Sequence, residues 1–308
     1  MIEGLKNEIA KQGDQAAIVP IERLQDIRQD IADLQNRNDL NNFQHYIVND
    51  LYSLTLPEAG FEIRSILLVA SPSPSSVKIT FTWNGKRIPT MLPASYVDKA
   101  KSPRRIENYL EGYLHPRDHH ALYAPQMPHK LLAVRSGLAE YGRNNITYVE
   151  RMGSFLNLNP YFTDIPCTED TWQDICQMEL CRTCQACLQN CPTAAIMPSR
   201  FLINNERCLT YFNEAGEEWN FPDWIDPAWH HTLYGCLRCQ AICPVNKPYL
   251  NILMEPVEFS EEETTFLMEM KPFDLLPESL RQKIDVLNMK DYLGAIPRNI
   301  RALFNQLA

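Results

Sequence analysis

The sequence has no long hydrophobic run and no signal-like leader. No stretch approaches about 18 consecutive apolar residues, the length that a transmembrane helix needs. Residues 1–8 carry several charges and lack the apolar run of a secretory signal peptide. We therefore expect a cytoplasmic protein with no membrane-spanning segment.

Positive charge is also in short supply. The chain has 29 Lys and Arg against 38 Asp and Glu, which gives a formal net charge of −9. A large nucleic-acid footprint normally requires clustered Lys and Arg, so this balance argues against one. The 308 residues are still enough to bury a sizeable core, in one large domain or in two.

Cysteine, by contrast, is abundant and regularly spaced, with ten residues in the chain. Residues 181–192 read C-x2-C-x2-C-x3-C-P, the bacterial ferredoxin pattern for a cubane iron–sulfur cluster. A tight loop can point the first three thiolates at one centre, whereas the fourth typically ligates a second cluster. A second set of cysteines follows within residues 236–244, and the lone Cys208 lies between the sets.

The number of thiolates predicts two [4Fe–4S] clusters that exchange ligands. The first cluster would be held by Cys181, Cys184, Cys187 and the distant Cys243. The second would be held by Cys191, Cys208, Cys236 and Cys239. Cys167 and Cys176 are left over, and we interpret them as buried or incidental.

Two other uses of cysteine fit this spacing less well. A structural zinc site also uses C-x2-C pairs, but three cysteines at this spacing are crowded for a tetrahedral ion. A disulfide framework is expected in secreted chains, and nothing marks this chain as secreted.

Local patterns predict a mixture of helices and strands. The first 55 residues are predicted to be helical, with Pro20 in the first turn of a packing helix. Residues 65–70 and 77–83 are predicted to be strands, and Asn84-Gly85 predicts a hairpin turn. The other expected elements are helices over 96–113 and 130–135, short strands over 146–149 and 155–158, and helices from residue 256 onward.

Together these patterns indicate an α+β fold class with three regions. Residues 1–165 alternate between helix and strand, which suggests a mixed α/β domain. Residues 166–255 should form a loop-rich, two-cluster ferredoxin-like domain, held by its clusters more than by apolar burial. Residues 256–308 should form a helical C-terminal extension.

The order of motifs resembles that of the epoxyqueuosine reductase family over much of the chain. In the cysteine-rich half, the matching segments are 181–196, 207–211 and 235–246. In the N-terminal half, Ser136-Gly137-Leu138 and Tyr141-Gly142-Arg143-Asn144 are similar to the family's Ala-Gly-Leu-Gly-x-x-Gly-Lys-Asn, and Gly153-Ser154 and Thr163-Asp164 also match. Many ferredoxins share the cysteine motifs, whereas their combination with the Gly-Leu…Gly-Arg-Asn segment is far more specific.

The resemblance implies a nitroreductase-like N-terminal domain that holds cobalamin base-off beside one cluster, a plan shared with reductive dehalogenases. Electrons from the clusters would reduce the cobalt, which would then act on a substrate. An external electron donor of the flavodoxin or ferredoxin type would reduce the clusters. The candidate residues around the cofactor and substrate are His129, Lys130, Gly137, Gly142, Arg143 and Asn144.

Three positions depart from the family, the first being Ala139, which replaces a glycine two residues after Gly137. The aspartate proposed as the family's proton donor corresponds to Tyr123, fourteen residues before Gly137. Tyrosine is a much weaker acid, but it can donate a proton if a neighbouring cation stabilises its phenolate. Reductive dehalogenases use a tyrosine in this role. The family's lysine is replaced by Arg143, which keeps the positive charge but presents a planar fork.

The leading hypothesis is a corrinoid-dependent oxidoreductase with two [4Fe–4S] clusters and a small-molecule or modified-nucleoside substrate. A first alternative is an epoxyqueuosine reductase proper that acts on tRNA, which Tyr123 and the acidic charge disfavour. A second alternative is a two-cluster electron-transfer protein that binds no corrinoid.

Overall fold

The computed structural model describes residues 1–99, 101–216 and 219–306 and divides the chain into two compact units. The N unit comprises Met1–Pro72 and Lys101–Gln185. The C unit comprises Ser73–Ala100 and Ala186–Ala308.

Helices and strands alternate along both units. The α-helices are α1 (Ile2–Lys11), α2 (Arg23–Gln35), α3 (Asn42–Tyr46), α4 (Ala94–Asp98), α5 (Ser102–Leu114), α6 (His129–Arg135), α7 (Ala186–Gln189), α8 (Leu209–Glu214), α9 (Arg238–Ala241), α10 (Glu261–Met268), α11 (Glu278–Val286) and α12 (Ile296–Asn305). The strands are β1 (Gln15–Pro20), β2 (Ser65–Pro72), β3 (Ser76–Trp83), β4 (Lys86–Pro93), β5 (Ala121–Tyr123), β6 (Glu140–Tyr141), β7 (Thr147–Tyr148), β8 (Leu156–Thr163) and β9 (Leu253–Phe259).

The N unit is built on an antiparallel sheet in the order β1-β2-β8-β5. Helices cover both faces: α1 and α5 pack on one face, and α2 and α6 pack on the other. Because both faces are covered, β2 is buried from Ser65 through Ser71 and its sequence is a continuous apolar run rather than an alternating one. The predicted mixed α/β organisation is confirmed.

The prediction that the first 55 residues are helical is wrong for one segment. Residues 15–20 form β1, which pairs with β2 from Gln15 opposite Ala70 to Pro20 opposite Ser65. Pro20 therefore ends a strand and does not begin a helix. The segment is short and apolar, so its pairing partner, which is distant in the sequence, decides its conformation.

The C unit contains a three-stranded sheet in the order β4-β3-β9. β3 and β4 form the predicted hairpin, with Asn84 and Gly85 at φ +50° and +69°, as a two-residue turn of this kind requires. β9 pairs with β3 in parallel, so a strand precedes the helices predicted after residue 256. Helices α10, α11 and α12 then pack on the apolar side chains of this sheet.

The division into units differs from the expected boundaries at residues 165 and 255. The β3–β4 hairpin belongs with the C-terminal part of the chain because β3 pairs with β9. The cysteine-rich stretch contains three short helices, α7, α8 and α9. Within the described residues, the structure contains no helix that is both long and apolar enough to cross a bilayer.

Candidate functional site

Four predicted cluster ligands lie together in the C unit: Cys191, Cys208, Cys236 and Cys239. Burial raises the pKa of the Cys239 thiol well above its usual value, and Cys236, Cys208, Cys191 and Cys187 raise it further. Burial raises the pKa of Cys236 to about 12, with Cys208 and Cys191 again contributing. The four sulfurs are therefore within electrostatic reach of one another, and Cys187 of the first predicted set also lies within reach of Cys239, so the assignment of these ligands to the second cluster stays a prediction.

Hydrogen bonds from side chains to backbone carbonyls connect the segments that carry these thiols. Cys191 follows α7, and the side-chain amide of Asn190 donates to the Arg238 carbonyl oxygen of α9 at 2.9 Å. Arg207, next to Cys208, donates from Nε to the Thr193 carbonyl oxygen at 2.9 Å. The cysteine spacing does not predict these two contacts. The only signal in the sequence is that Arg207 directly precedes the isolated Cys208.

The chemistry of this group fits an iron–sulfur cluster. Several thiolates in a poorly solvated site repel one another, and iron supplies the positive charge that offsets this repulsion. Among the described residues, no three His, Cys, Asp or Glu side chains are arranged to hold a single metal ion. Cubane ligands do not need that arrangement, because each thiolate binds a different iron atom.

The cysteines predicted for the first cluster are described in two pairs. Cys181 and Cys184 belong to the N unit, where Cys181 lies in the helical turn Glu179–Arg182. Cys187 and Cys243 belong to the C unit. This ligand set stays a prediction of the sequence.

The two remaining cysteines pack partly buried against the N unit's apolar clusters. Cys167 donates from Sγ to the Glu169 carbonyl oxygen at 3.0 Å, and Gln173 donates to the Cys176 sulfur at 3.5 Å. None of the ten cysteines, all within the described ranges, is in a disulfide.

Four of the predicted cofactor-binding residues meet at one corner of the N unit. Gly142, Arg143 and Asn144 form the loop between β6 and β7, closed by the Asn145 N–H donating to the Gly142 carbonyl oxygen at 2.9 Å. Lys130, on α6, donates from Nζ to the Asn145 carbonyl oxygen at 3.1 Å. Solvent reaches Lys130, yet desolvation by the surrounding protein lowers its pKa.

The same loop contacts two cluster cysteines through Arg143. Its backbone N–H donates to the Cys181 sulfur at 3.4 Å. Its guanidinium donates from Nε to the Cys184 carbonyl oxygen at 3.1 Å and from Nη2 to the Cys181 carbonyl oxygen. Arg143 is thus engaged with the cysteine segment. The sequence could not show this contact, because it specifies that residue 143 is positively charged but not where its side chain points.

Three predicted site residues do not join this corner through the contacts described. His129 begins α6, and its Nε2 lies 3.0 Å from the Pro125 carbonyl oxygen. Gly137, at φ +76°, ends α6 in the left-handed conformation that suits glycine. Tyr123 packs on the face of the sheet opposite α6, with its ring centroid 5.3 Å from that of Tyr161.

Comparison with known proteins agrees with the arrangement of the cysteines. Residues 180–246 match the family described as a 4Fe-4S double cluster binding domain. The chain is 32% identical over 120 residues to the epoxyqueuosine reductase of Atelocyanobacterium thalassa (isolate ALOHA), which covers 39% of this chain and 38% of that protein. The chain therefore spans less than two fifths of the length of this relative.

Solved structures share the fold over nearly the whole chain. The epoxyqueuosine reductase of Bacillus subtilis matches with a TM-score of 0.59 and 19% identity, covering 99% of this chain and 82% of that chain. An epoxyqueuosine reductase with a tRNA-Tyr epoxyqueuosine-modified tRNA stem loop matches with a TM-score of 0.60 at 19% identity and the same coverages.

Residues 180–246 thus carry the pattern of a double-cluster iron–sulfur domain, and the chain shares its fold with epoxyqueuosine reductases. The chain resembles these proteins over 120 residues in sequence and over nearly its whole length in fold. This resemblance confirms the one that the order of motifs predicted.

Proposed function

We propose that the chain is a cobalamin-dependent reductase in which two [4Fe–4S] clusters deliver electrons to a base-off corrinoid. The observation that carries this proposal is the contact pattern of the loop 142–145. It bonds to Lys130 on one side and, through Arg143, to Cys181 and Cys184 on the other. A cofactor held at Lys130 would therefore lie near two thiols that are predicted to bind a cluster.

Lys130 is the predicted residue that best fits such a cofactor. The residue is exposed, and its ammonium has three donors, of which the contact with the Asn145 carbonyl oxygen uses one. Such donors suit the amide and phosphate oxygens at the rim of a corrinoid. The corrinoid, when bound, would supply a low-potential metal centre able to reduce a substrate. Gly142 would allow the loop to close tightly, because a Cβ there would come within 2.5 Å of Asn144 Oδ1. Arg143 would hold the loop against the cysteine segment through its bond to the Cys184 carbonyl oxygen.

Retention of cobalamin tests this proposal directly. The clusters are reconstituted without oxygen, hydroxocobalamin is added, and the protein is desalted. We expect the wild type to keep a base-off absorption spectrum and Lys130→Gln to bind cobalamin roughly tenfold more weakly, because it loses a charge-assisted hydrogen bond.

Lys11→Gln is the matched control for this experiment. Lys11 is exposed on the same unit and pairs with Glu8, so its variant should bind like the wild type. Complete loss of cobalamin from the wild type would contradict the proposal. It would leave a two-cluster electron-transfer protein as the better description.

The second candidate is reduction of epoxyqueuosine in tRNA. It is supported by the name of the relatives that match over 120 residues and by the tRNA stem loop in one structure of the same fold. In a queuosine-deficient strain, the chain should then restore queuosine to tRNA. Persistent epoxyqueuosine among the tRNA nucleosides would rule this substrate out.

Tyr123 is the proposed proton donor in either case, and it would have to reach the substrate from the sheet face opposite α6, where its ring packs. Burial raises its pKa and Glu107 raises it further, so the phenol stays protonated and available to a strongly basic acceptor. Tyr123→Phe should lower turnover, or queuosine formation in the complemented strain, by roughly a hundredfold while cobalamin retention is unchanged. Tyr113→Phe, in the same apolar cluster, should be neutral. Full turnover of the Tyr123 variant would remove the role.

A further inference from the structure

Arg143 is placed by an unusually constrained loop. The Gly142 N–H donates to the Ile146 carbonyl oxygen at 2.7 Å, and Asn145 closes the turn at φ +60°. A Cβ at Gly142 would also come within 2.5 Å of the Tyr148 ring. Because this loop has little freedom, it fixes the direction in which the Arg143 backbone and side chain point.

The donors of Arg143 converge on the segment that carries Cys181 and Cys184. The backbone N–H points at a cysteine sulfur, while two guanidinium nitrogens point at the carbonyl oxygens of both cysteines. A planar guanidinium can hold two acceptors at once, which a lysine ammonium does less rigidly. The bonds fix the cysteine backbone and bring a permanent positive charge close to it.

We propose that Arg143 is a positioning residue for the cluster to which Cys181 and Cys184 contribute, and that it makes this cluster easier to reduce. The inference rests on the proposed clusters but not on the corrinoid. Reduction adds one electron from an external reductant and neither forms nor breaks a bond. Hydrogen bonds to the sulfurs and a nearby cation stabilise that extra negative charge, which raises the reduction potential.

This role replaces the one expected from the sequence. Arg143 was predicted to lie around the cofactor and substrate. The contacts described use its Nε and Nη2 for cysteine carbonyls, so its charge acts through the cluster cysteines. Lys130 then remains the cation of this corner that faces solvent.

A redox titration of the cluster-loaded protein, followed by electron paramagnetic resonance, tests the proposal without cobalamin. Dithionite is the reductant. Arg143→Gln should lower the midpoint potential of one cluster and leave the other unchanged. At a fixed solution potential, the ratio of reduced to oxidised cluster should fall about tenfold. Arg143→Lys, which keeps the charge, should restore most of that ratio.

Arg182→Gln is the matched control, because Arg182 lies between the same two cysteines but is 77% exposed and pairs with Glu179. Its potentials should equal those of the wild type. If Arg143→Gln loses half of the iron and Arg143→Lys keeps it, positioning is also supported.

Unchanged potentials and full iron in Arg143→Gln would overturn the inference. An equal shift in Arg182→Gln would also overturn it. Either result would leave cobalamin retention, and hence the proposed function, unaffected. A wild type that assembles no cluster would overturn both.

Discussion

Cys208 shows how one isolated residue acquires a role from its surroundings. It directly precedes α8, where Thr210 hydrogen-bonds to its sulfur through both its backbone and its side chain and favours the thiolate. Burial and the charge of Cys191 act in the opposite direction and raise its pKa. A ligand of iron would be held in this setting as the thiolate, because the metal offsets the repulsion.

Removing this thiol should cost one cluster. Cys208→Ala leaves three ligands for the second cluster, so we expect roughly half of the wild-type iron and acid-labile sulfide per chain after reconstitution. Cys176→Ala, which removes a cysteine outside both predicted sets, should keep the full amount. Full iron in the Cys208 variant would contradict the ligand set, and so would equal losses in the two variants.

Short-range spacing identified the candidate cluster ligands. It predicted the set Cys191, Cys208, Cys236 and Cys239, but Cys187 also acts on the pKa of Cys239, so the division of the thiols between two clusters stays a prediction. The directions in which the Arg143 and Tyr123 side chains point were not predictable. Each depends on the tertiary structure around the loop or strand that carries the residue. The charge acting on the Tyr123 pKa is the anion Glu107, whereas proton donation was expected to need a cation.

At the scale of elements, the β3–β4 hairpin depends on a turn of two residues in the left-handed region. A Cβ added at Gly85 would meet no heavy atom of the described residues within 4 Å, so the restriction there is conformational and not steric crowding. Gly112, inside α5, has the same open space but lies outside the left-handed region. Substitutions at these two glycines therefore distinguish the effect of backbone conformation from the effect of steric crowding.

Alanine should affect these two positions with opposite sign. Gly85→Ala should lower the free energy of unfolding by about 1 kcal/mol, because alanine resists a positive φ. Gly112→Ala should raise it by about 0.5–1 kcal/mol, because alanine restricts the unfolded chain and favours the helix. Urea unfolding followed by circular dichroism measures both. Changes of the same sign would contradict the argument from φ.

Elements with strong local signals were predicted, and those defined by distant pairing were not. The Asn84-Gly85 turn, β2 and α6 were expected from nearby residues alone. β1 was missed because it becomes a strand by pairing with β2 across more than forty intervening residues. The start of the C-terminal region was assigned as helix for the same reason, since β9 depends on β3.

At the scale of the whole molecule, the sequence indicated the α+β class and the cysteine-rich portion, but not how the units share the chain. Each unit is made of two separate segments, and the hairpin at residues 76–93 joins the C-terminal part. No local sequence pattern predicts that the hairpin packs with the C-terminal part. The parallel pairing joins β3 to β9, and all eight predicted cluster cysteines lie between these strands in the sequence. In the N-terminal half, the predicted helices and strands therefore agree with the structure better than the predicted domain boundary does.

The parallel pairing of β3 with β9 also determines the order in which parts of the chain can fold during translation. Residues 94–252 separate the finished hairpin from its partner strand, and ribosomes add about 5–20 residues per second, so β3 waits with an open edge for roughly 10–30 s. That edge can mispair with other chains. All ten cysteines emerge before it closes, so iron delivery can begin on a nascent chain whose C-terminal sheet is still incomplete.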